Sequence, residues 1–197
     1  MTRARASRLV GALVAAAVLT GSLAGCGPAT PTNDVVGQDY QSGDGSMTQW
    51  APGKRKGPVE LAGADFTGQR QDTAQWRGDV VVLNTWYASC PPCRAEAPDL
   101  AAVANDYAAR GVHVLGVNST DEAGAALAFM EKFAIPFPSI ADSDGSAVAA
   151  LQGVVPVNAV PTTVVLDRDG KVAARVLGLI EESTLRAVLD DVLAEPA

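Results

Sequence analysis

Two cysteines stand three apart in Trp86-Tyr87-Ala88-Ser89-Cys90-Pro91-Pro92-Cys93, directly after the apolar run Val80 to Leu83. Pairs at this spacing serve three kinds of chemistry: a structural crosslink, half of a zinc site, or reversible thiol-disulfide exchange. A crosslink that closes so short a loop restrains the unfolded chain little. A zinc site needs four ligands, and the single histidine, His113, lies in an apolar stretch where a core or edge role suits it. Exchange fits the position. A cysteine at the tip of a helix that follows a central strand faces unpaired backbone N–H groups and the positive end of the helix dipole, both of which favour its thiolate. Cys90 is thus the expected exposed nucleophile. Cys93, one turn further in, is placed to attack a mixed disulfide at Cys90 and release the client. Pro91 and Pro92 cost little there, because first-turn N–H groups have no helical partner to lose.

The elements that must hold the pair alternate in character, as in an α/β layer fold. Gly78 to Trp86 is a continuous β-branched run suited to a central buried strand, and Val112 to Asn118 reads as a second. Between them, Ala97 to Gly111 carries Leu100, Val103, Ala104 and Tyr107 at helical spacing and ends on a glycine. A helix from about Glu122 to Phe133 follows, with Thr120 or Asp121 as candidate caps. Ser143 to Gly153 suits a short helix. Pro161 to Gly178 reads as a hairpin around Asp167-Arg168-Asp169-Gly170, and Glu182 to Leu193 as a last amphipathic helix.

The first residues have a different character. Arg3, Arg5 and Arg8 precede an apolar run from Leu9 to about Leu19, short of the about 20 residues a membrane span needs, so residues 1–25 read as a cleaved export signal. Leu23-Ala24-Gly25-Cys26 resembles the lipobox of bacterial lipoproteins, which implies lipid attachment at Cys26 and an anchor in the bilayer on the outer face of the cytoplasmic membrane; the plain alternatives are an ordinary secretory signal with a chance Cys26 or an uncleaved anchor. Residues 26–58 are rich in Gly, Pro, Ser and Asp without an apolar period and read as a flexible tether, with a reach of roughly 30 Å. Tyr40 and Trp50 are isolated aromatics within it. The folded domain is expected over 59–197. From Cys26 onward the chain has 12 basic and 22 acidic residues, a net charge of −10, which argues against a nucleic-acid partner. With Cys26 lipidated, Cys90 and Cys93 form a closed pair in a compartment where disulfides persist.

Over roughly Val59 to Leu193, LNTWYASCPPCRAEAPDL followed by VPTTVVLDRDGKV resembles the membrane-anchored thioredoxin-like proteins of the TlpA/ResA type, thiol-disulfide oxidoreductases of the bacterial envelope. The resemblance implies a thioredoxin-like α/β fold, a central mixed sheet flanked by helices. It also implies a cis peptide at Val160-Pro161 facing the cysteines, with Val160 at the client edge; Thr162 is a further candidate there, although it and Thr163 better suit the strand itself. Trp86 matches a family tryptophan near the site and is a candidate for client contact, with packing as its plain alternative. Where thioredoxins carry an aspartate beneath the pair, this chain has Asn84, which is not a base. Glu96, on the helical face of Cys93, matches the glutamate that tunes thiol acidity in the ResA-like branch; its plain alternative is a carboxylate complementing the helix dipole. Arg94 reads as solvated surface. Ser89 departs from the second tryptophan of many members.

The expectation is therefore an extracytoplasmic thiol-disulfide oxidoreductase using Cys90, Cys93, Glu96 and Pro161, with no cofactor and no metal. The resemblance implies disulfide-containing or dithiol client proteins, a membrane thiol protein as electron partner, and a reductase role in cytochrome c maturation. An oxidase for secreted proteins is the alternative direction, since potentials on this fold span about 150 mV. A thiol peroxidase would want Thr or Ser where Tyr87 stands. A copper-binding lipoprotein would want a wider cysteine spacing and a late histidine.

Overall fold

The computed structural model describes residues 40–41, 46–154 and 157–196. The export signal, Cys26 and most of the tether lie outside the described residues. The strands are β1 (Tyr40–Gln41), β2 (Met47–Gln49), β3 (Ala62–Ala64), β4 (Arg70–Asp72), β5 (Val80–Thr85), β6 (Val112–Asn118), β7 (Ser139–Ala141), β8 (Thr162–Leu166) and β9 (Val172–Leu177). The helices are α1 (Pro91–Tyr107), α2 (Ala123–Lys132), α3 (Ser146–Gln152) and α4 (Glu182–Ala194). Seven strands form one mixed sheet in the order β1-β2-β9-β8-β5-β6-β7, and β3 and β4 form a separate hairpin. β5 runs parallel to β6 and antiparallel to β8.

β5 is central because every residue of VVVLNT is buried, as a strand covered on both faces requires. Its side chains alternate. Val80 and Val82 enter the core under α1 and α4, with Leu100, Val103, Leu185 and Leu189, whereas Val81 and Leu83 enter the other core, with Leu115, Leu151 and Leu166. The strand thus fixes the sheet between two apolar layers. Parity places Asn84 on the α1 side, beneath the cysteines. A 3₁₀ turn extends α1 over 108–110, and Gly111, at φ 75°, ends it, a left-handed position that favours glycine. α1 starts earlier than the apolar period of Ala97 to Gly111 indicates, and it runs through Pro98, which sits on an exposed face.

Ordered structure also begins earlier than Val59. Met47–Gln49 pairs with β9, Trp50 packs against the core around Leu83, and Arg55 is buried between Asp167 at 3.0 Å and Glu195. Burial works against the Arg55 guanidinium charge, but these two carboxylates outweigh it and hold its pKa above the ordinary range. Low apolar content hid this segment, because it is held by edge pairing and ion pairs and not by a periodic apolar face.

Candidate active site

β5 delivers the chain to the site. Beyond Thr85, the Trp86 N–H donates to Val117 O at 3.1 Å, and a turn closed by Cys90 N to Tyr87 O at 3.1 Å leads into α1. Cys90 is the N-cap of α1, with Pro91 and Pro92 filling the first helical positions. Cys90 and Cys93 are joined in a disulfide with their Cα atoms 5.3 Å apart, and the Cys93 N–H points at Cys90 Sγ at 3.2 Å. In the dithiol state that donor and the helix dipole favour charge on Cys90. The expectation of an exposed Cys90 is corrected for the disulfide state: Cys90 is 1% and Cys93 2% exposed, packed with Trp86, Ala97, Ala126 and Phe129.

Glu96 lies one turn beyond Cys93 and is 0% exposed. Its Oε1 accepts from Asn84 Nδ2 at 2.8 Å and its Oε2 from the Ile180 N–H at 3.0 Å. Burial raises its pKa from 4.5 to about 7, against the opposing pull of these two donors and with a small further push from Asp99. A first-turn dipole partner would be solvated, so burial disfavours that alternative. Asn84 is no base, but it braces the site. The same amide also donates to Thr163 Oγ1 at 3.2 Å, which fixes it between strand and helix.

Pro161 is buried, and the Val160–Pro161 peptide is cis. Pro161 O accepts from the Gly178 N–H at 2.8 Å, linking this loop to the turn that carries Ile180. Val160 is 45% exposed and belongs to the surface. Thr162 does not. It is fully buried, its hydroxyl donates to Ala159 O at 2.6 Å and its N–H to Thr85 Oγ1 at 2.9 Å, so it holds the loop and offers nothing to a client. Trp86 is likewise buried. Its indole stacks on Phe129 at 4.5 Å and donates to Ser139 Oγ at 2.8 Å; it packs beneath the pair and does not line a client surface. Gly116 makes room for it, since a Cβ there would stand 2.7 Å from Trp86 Nε1 and 2.5 Å from Ser139 Oγ.

Two residues differ from their sequence reading. Arg94 is half-buried and donates to Ala88 O at 2.9 Å. Asp121 caps no helix, because its carboxylate accepts from Ala88 N at 2.6 Å, while Glu122 occupies the N-cap of α2 without a side-chain cap. His113 stacks on Trp76 at 4.8 Å and bonds Asp79 at 2.9 Å, at the edge of the core, as its strand position suggests.

A family model described as Redoxin matches residues 51–191. The chain belongs to the Redoxin family. Among curated relatives, the thiol-disulfide oxidoreductase ResA of Bacillus subtilis is 31% identical over 121 residues, 61% of this chain and 65% of that protein, just under two thirds of its length. The thiol:disulfide interchange protein HelX of Rhodobacter capsulatus is 30% identical over 166 residues, 82% of this chain and 90% of that one. Among solved structures, a secreted thiol-disulfide isomerase from Corynebacterium glutamicum superposes with a TM-score of 0.72 at 28% identity, covering 79% of this chain and 97% of that one. This redoxin has the thioredoxin-like α/β fold. It is a thiol-disulfide oxidoreductase with Cys90 and Cys93 as its redox pair.

Proposed function

We propose that the protein reduces disulfides outside the cytoplasm, held at the membrane through a lipidated Cys26 behind a cleaved signal over 1–25, with the cysteines of apocytochrome c as its client class. Similarity to ResA and HelX supports the client class, and the secreted relative supports the compartment. The observation that carries the chemistry is the buried carboxylate of Glu96, with a pKa near 7, one turn from Cys93. The Cys90 thiolate attacks a client disulfide, expelling one client sulfur as a thiolate. Glu96 then takes the Cys93 proton, the Cys93 sulfur attacks Cys90 Sγ, and the second client sulfur leaves. Two electrons pass to the client, and the protein is left as the disulfide. A dithiol donor at the membrane returns the electrons. Val160, exposed beside the cis peptide, offers backbone for a client strand to pair with.

The test is insulin reduction together with the reduction potential and the redox state of the pair in cells. Cys90→Ser abolishes the activity; retained activity overturns the assignment of the nucleophile. A pair held as dithiol in cells supports the reductase direction, and a pair held as disulfide turns the reading to the oxidase. Mass analysis of Cys26 checks the anchor.

A further inference from the structure

Both sulfurs are shielded in the disulfide, yet exchange needs an outside sulfur to approach Cys90 in line with the S–S bond. A covering group therefore has to move. Of the elements around the pair, α2 is the least secured: among its ten residues only Ala126 and Phe129 are buried, and both pack into the group that contains the cysteines. Cys93 and Asn84 share the lining of a cavity of about 10 Å³ with Phe129 and Met130 of α2, so the helix adjoins the inner cysteine across a small gap.

What ties α2 down is the turn in front of Cys90. The Ala88 N–H donates to Asp121 Oδ2 at 2.6 Å, in the loop that leads into α2. The Ala88 carbonyl accepts from Arg94 Nη1 at 2.9 Å, and the same guanidinium lies 5.2 Å from the centroid of Phe133, where α2 ends. One residue's backbone is thus linked to the residues that flank both ends of α2, the helix that packs into the cluster containing the pair. Asp121 is itself aimed: Asn118 Nδ2 donates to Oδ2 at 2.8 Å, and Asn118 Oδ1 accepts the N–H groups of Thr120 and Asp121 at 3.0 Å each.

We propose that α2 is a hinged cover over the redox pair, latched to Ala88 by Asp121 and Arg94, and that this latch sets how fast an outside thiolate reaches Cys90. With the cover open, the thiolate bonds to Cys90 Sγ, the Cys90–Cys93 bond breaks, and the Cys93 sulfur leaves with the electron pair and takes up a proton. The cover acts on access and not on the balance between dithiol and disulfide. This rests on the redox reading of the pair.

The experiment compares reduction of the oxidised protein by dithiothreitol, followed by stopped flow, in wild type, Asp121→Ala, Asp121→Asn and Arg94→Ala, with the reduction potential measured on each. Loss of one charge-assisted bond is expected to raise the second-order rate about tenfold with the potential unchanged, while Asp121→Asn, which keeps an acceptor for Ala88, stays near wild type. Amide exchange on the wild-type protein gives an independent reading: Ala88 and α2 are expected to exchange through a local opening, well before β5 and β6. Unchanged rates in both alanine variants, or α2 amides that exchange only with the whole core, overturn the proposal. A wild-type protein that dithiothreitol cannot reduce overturns the redox reading instead, so the two failures are told apart.

Discussion

Replacing Glu96 by glutamine removes a titration that the fold itself creates. The carboxyl has an ordinary pKa of 4.5 and is pushed to about 7 by burial, so between those values the folded protein binds a proton that the unfolded chain releases. Stability contributed by this group is complete below pH 4.5 and is lost as pH rises through 7. The difference amounts to about 3 kcal/mol across the window. Glutamine stays neutral throughout. Its offset relative to wild type is set by hydrogen bonding, because one carboxylate acceptor becomes an NH₂ group. That NH₂ can face Asn84 if the amide turns round, but it cannot face the Ile180 N–H, so the remaining oxygen must take that donor. The slope is free of this offset. Urea denaturation of the oxidised protein from pH 5 to 8 is expected to show wild type losing about 2.5 kcal/mol relative to Glu96→Gln, most of it between pH 5 and 7. Other groups titrate equally in both proteins and cancel. Parallel curves would refute the reasoning, since Glu96 would then ionise as readily folded as unfolded. In the dithiol form the same change is expected to alter the pH profile of thiol alkylation, and an unaltered profile would remove Glu96 from the exchange step.

Gly116→Ala places a methyl group against Ser139 Oγ and Trp86 Nε1, and is expected to cost about 1–3 kcal/mol and to change Trp86 emission; an unchanged melting temperature would mean that the indole is not held as described. Ala134 follows α2 at φ 50°, in the left-handed region, while the Ile135 N–H closes back to Met130 O at 2.9 Å. Ala134→Gly is therefore expected to stabilise the protein by about 0.5–1 kcal/mol, read from the denaturation midpoint, and a loss of stability would contradict it.

The features carried by long apolar patterns were legible in the sequence. β6 has the bounds that Val112 to Asn118 indicates, α4 ends one residue from its expected end, and the hairpin around Asp167 to Gly170 is β8 and β9. Short pairings were not. β3 and β4 are three residues each, AGA and RQD, with no alternation long enough to stand out, and β2 is concealed in a Gly- and Pro-rich stretch. At the site, Glu96 follows from helical spacing after Cys93. Its partner Ile180 is 84 residues away and donates through its backbone, which no side-chain pattern records. Nor does a position at a helix tip say what lies over it, which is why the shielding of Cys90 and the hold of Asp121 on Ala88 emerge only in three dimensions. Thr162, a candidate for the client edge whose plainer reading is a strand residue, lies in β8, where every side chain is buried.

Tyr40, Gln49, Ala174, Val165 and Val82 stand level across the sheet, and Gln41, Thr48, Arg175, Val164 and Leu83 form the next row toward Cys90. Traced backward from Gln41 to Tyr40, the backbone steps away from the cysteines and toward the pole where Arg55 grips Asp167 and Glu195. The first described residues thus join the sheet at its margin, while the strand that leads to the sulfurs lies at its centre.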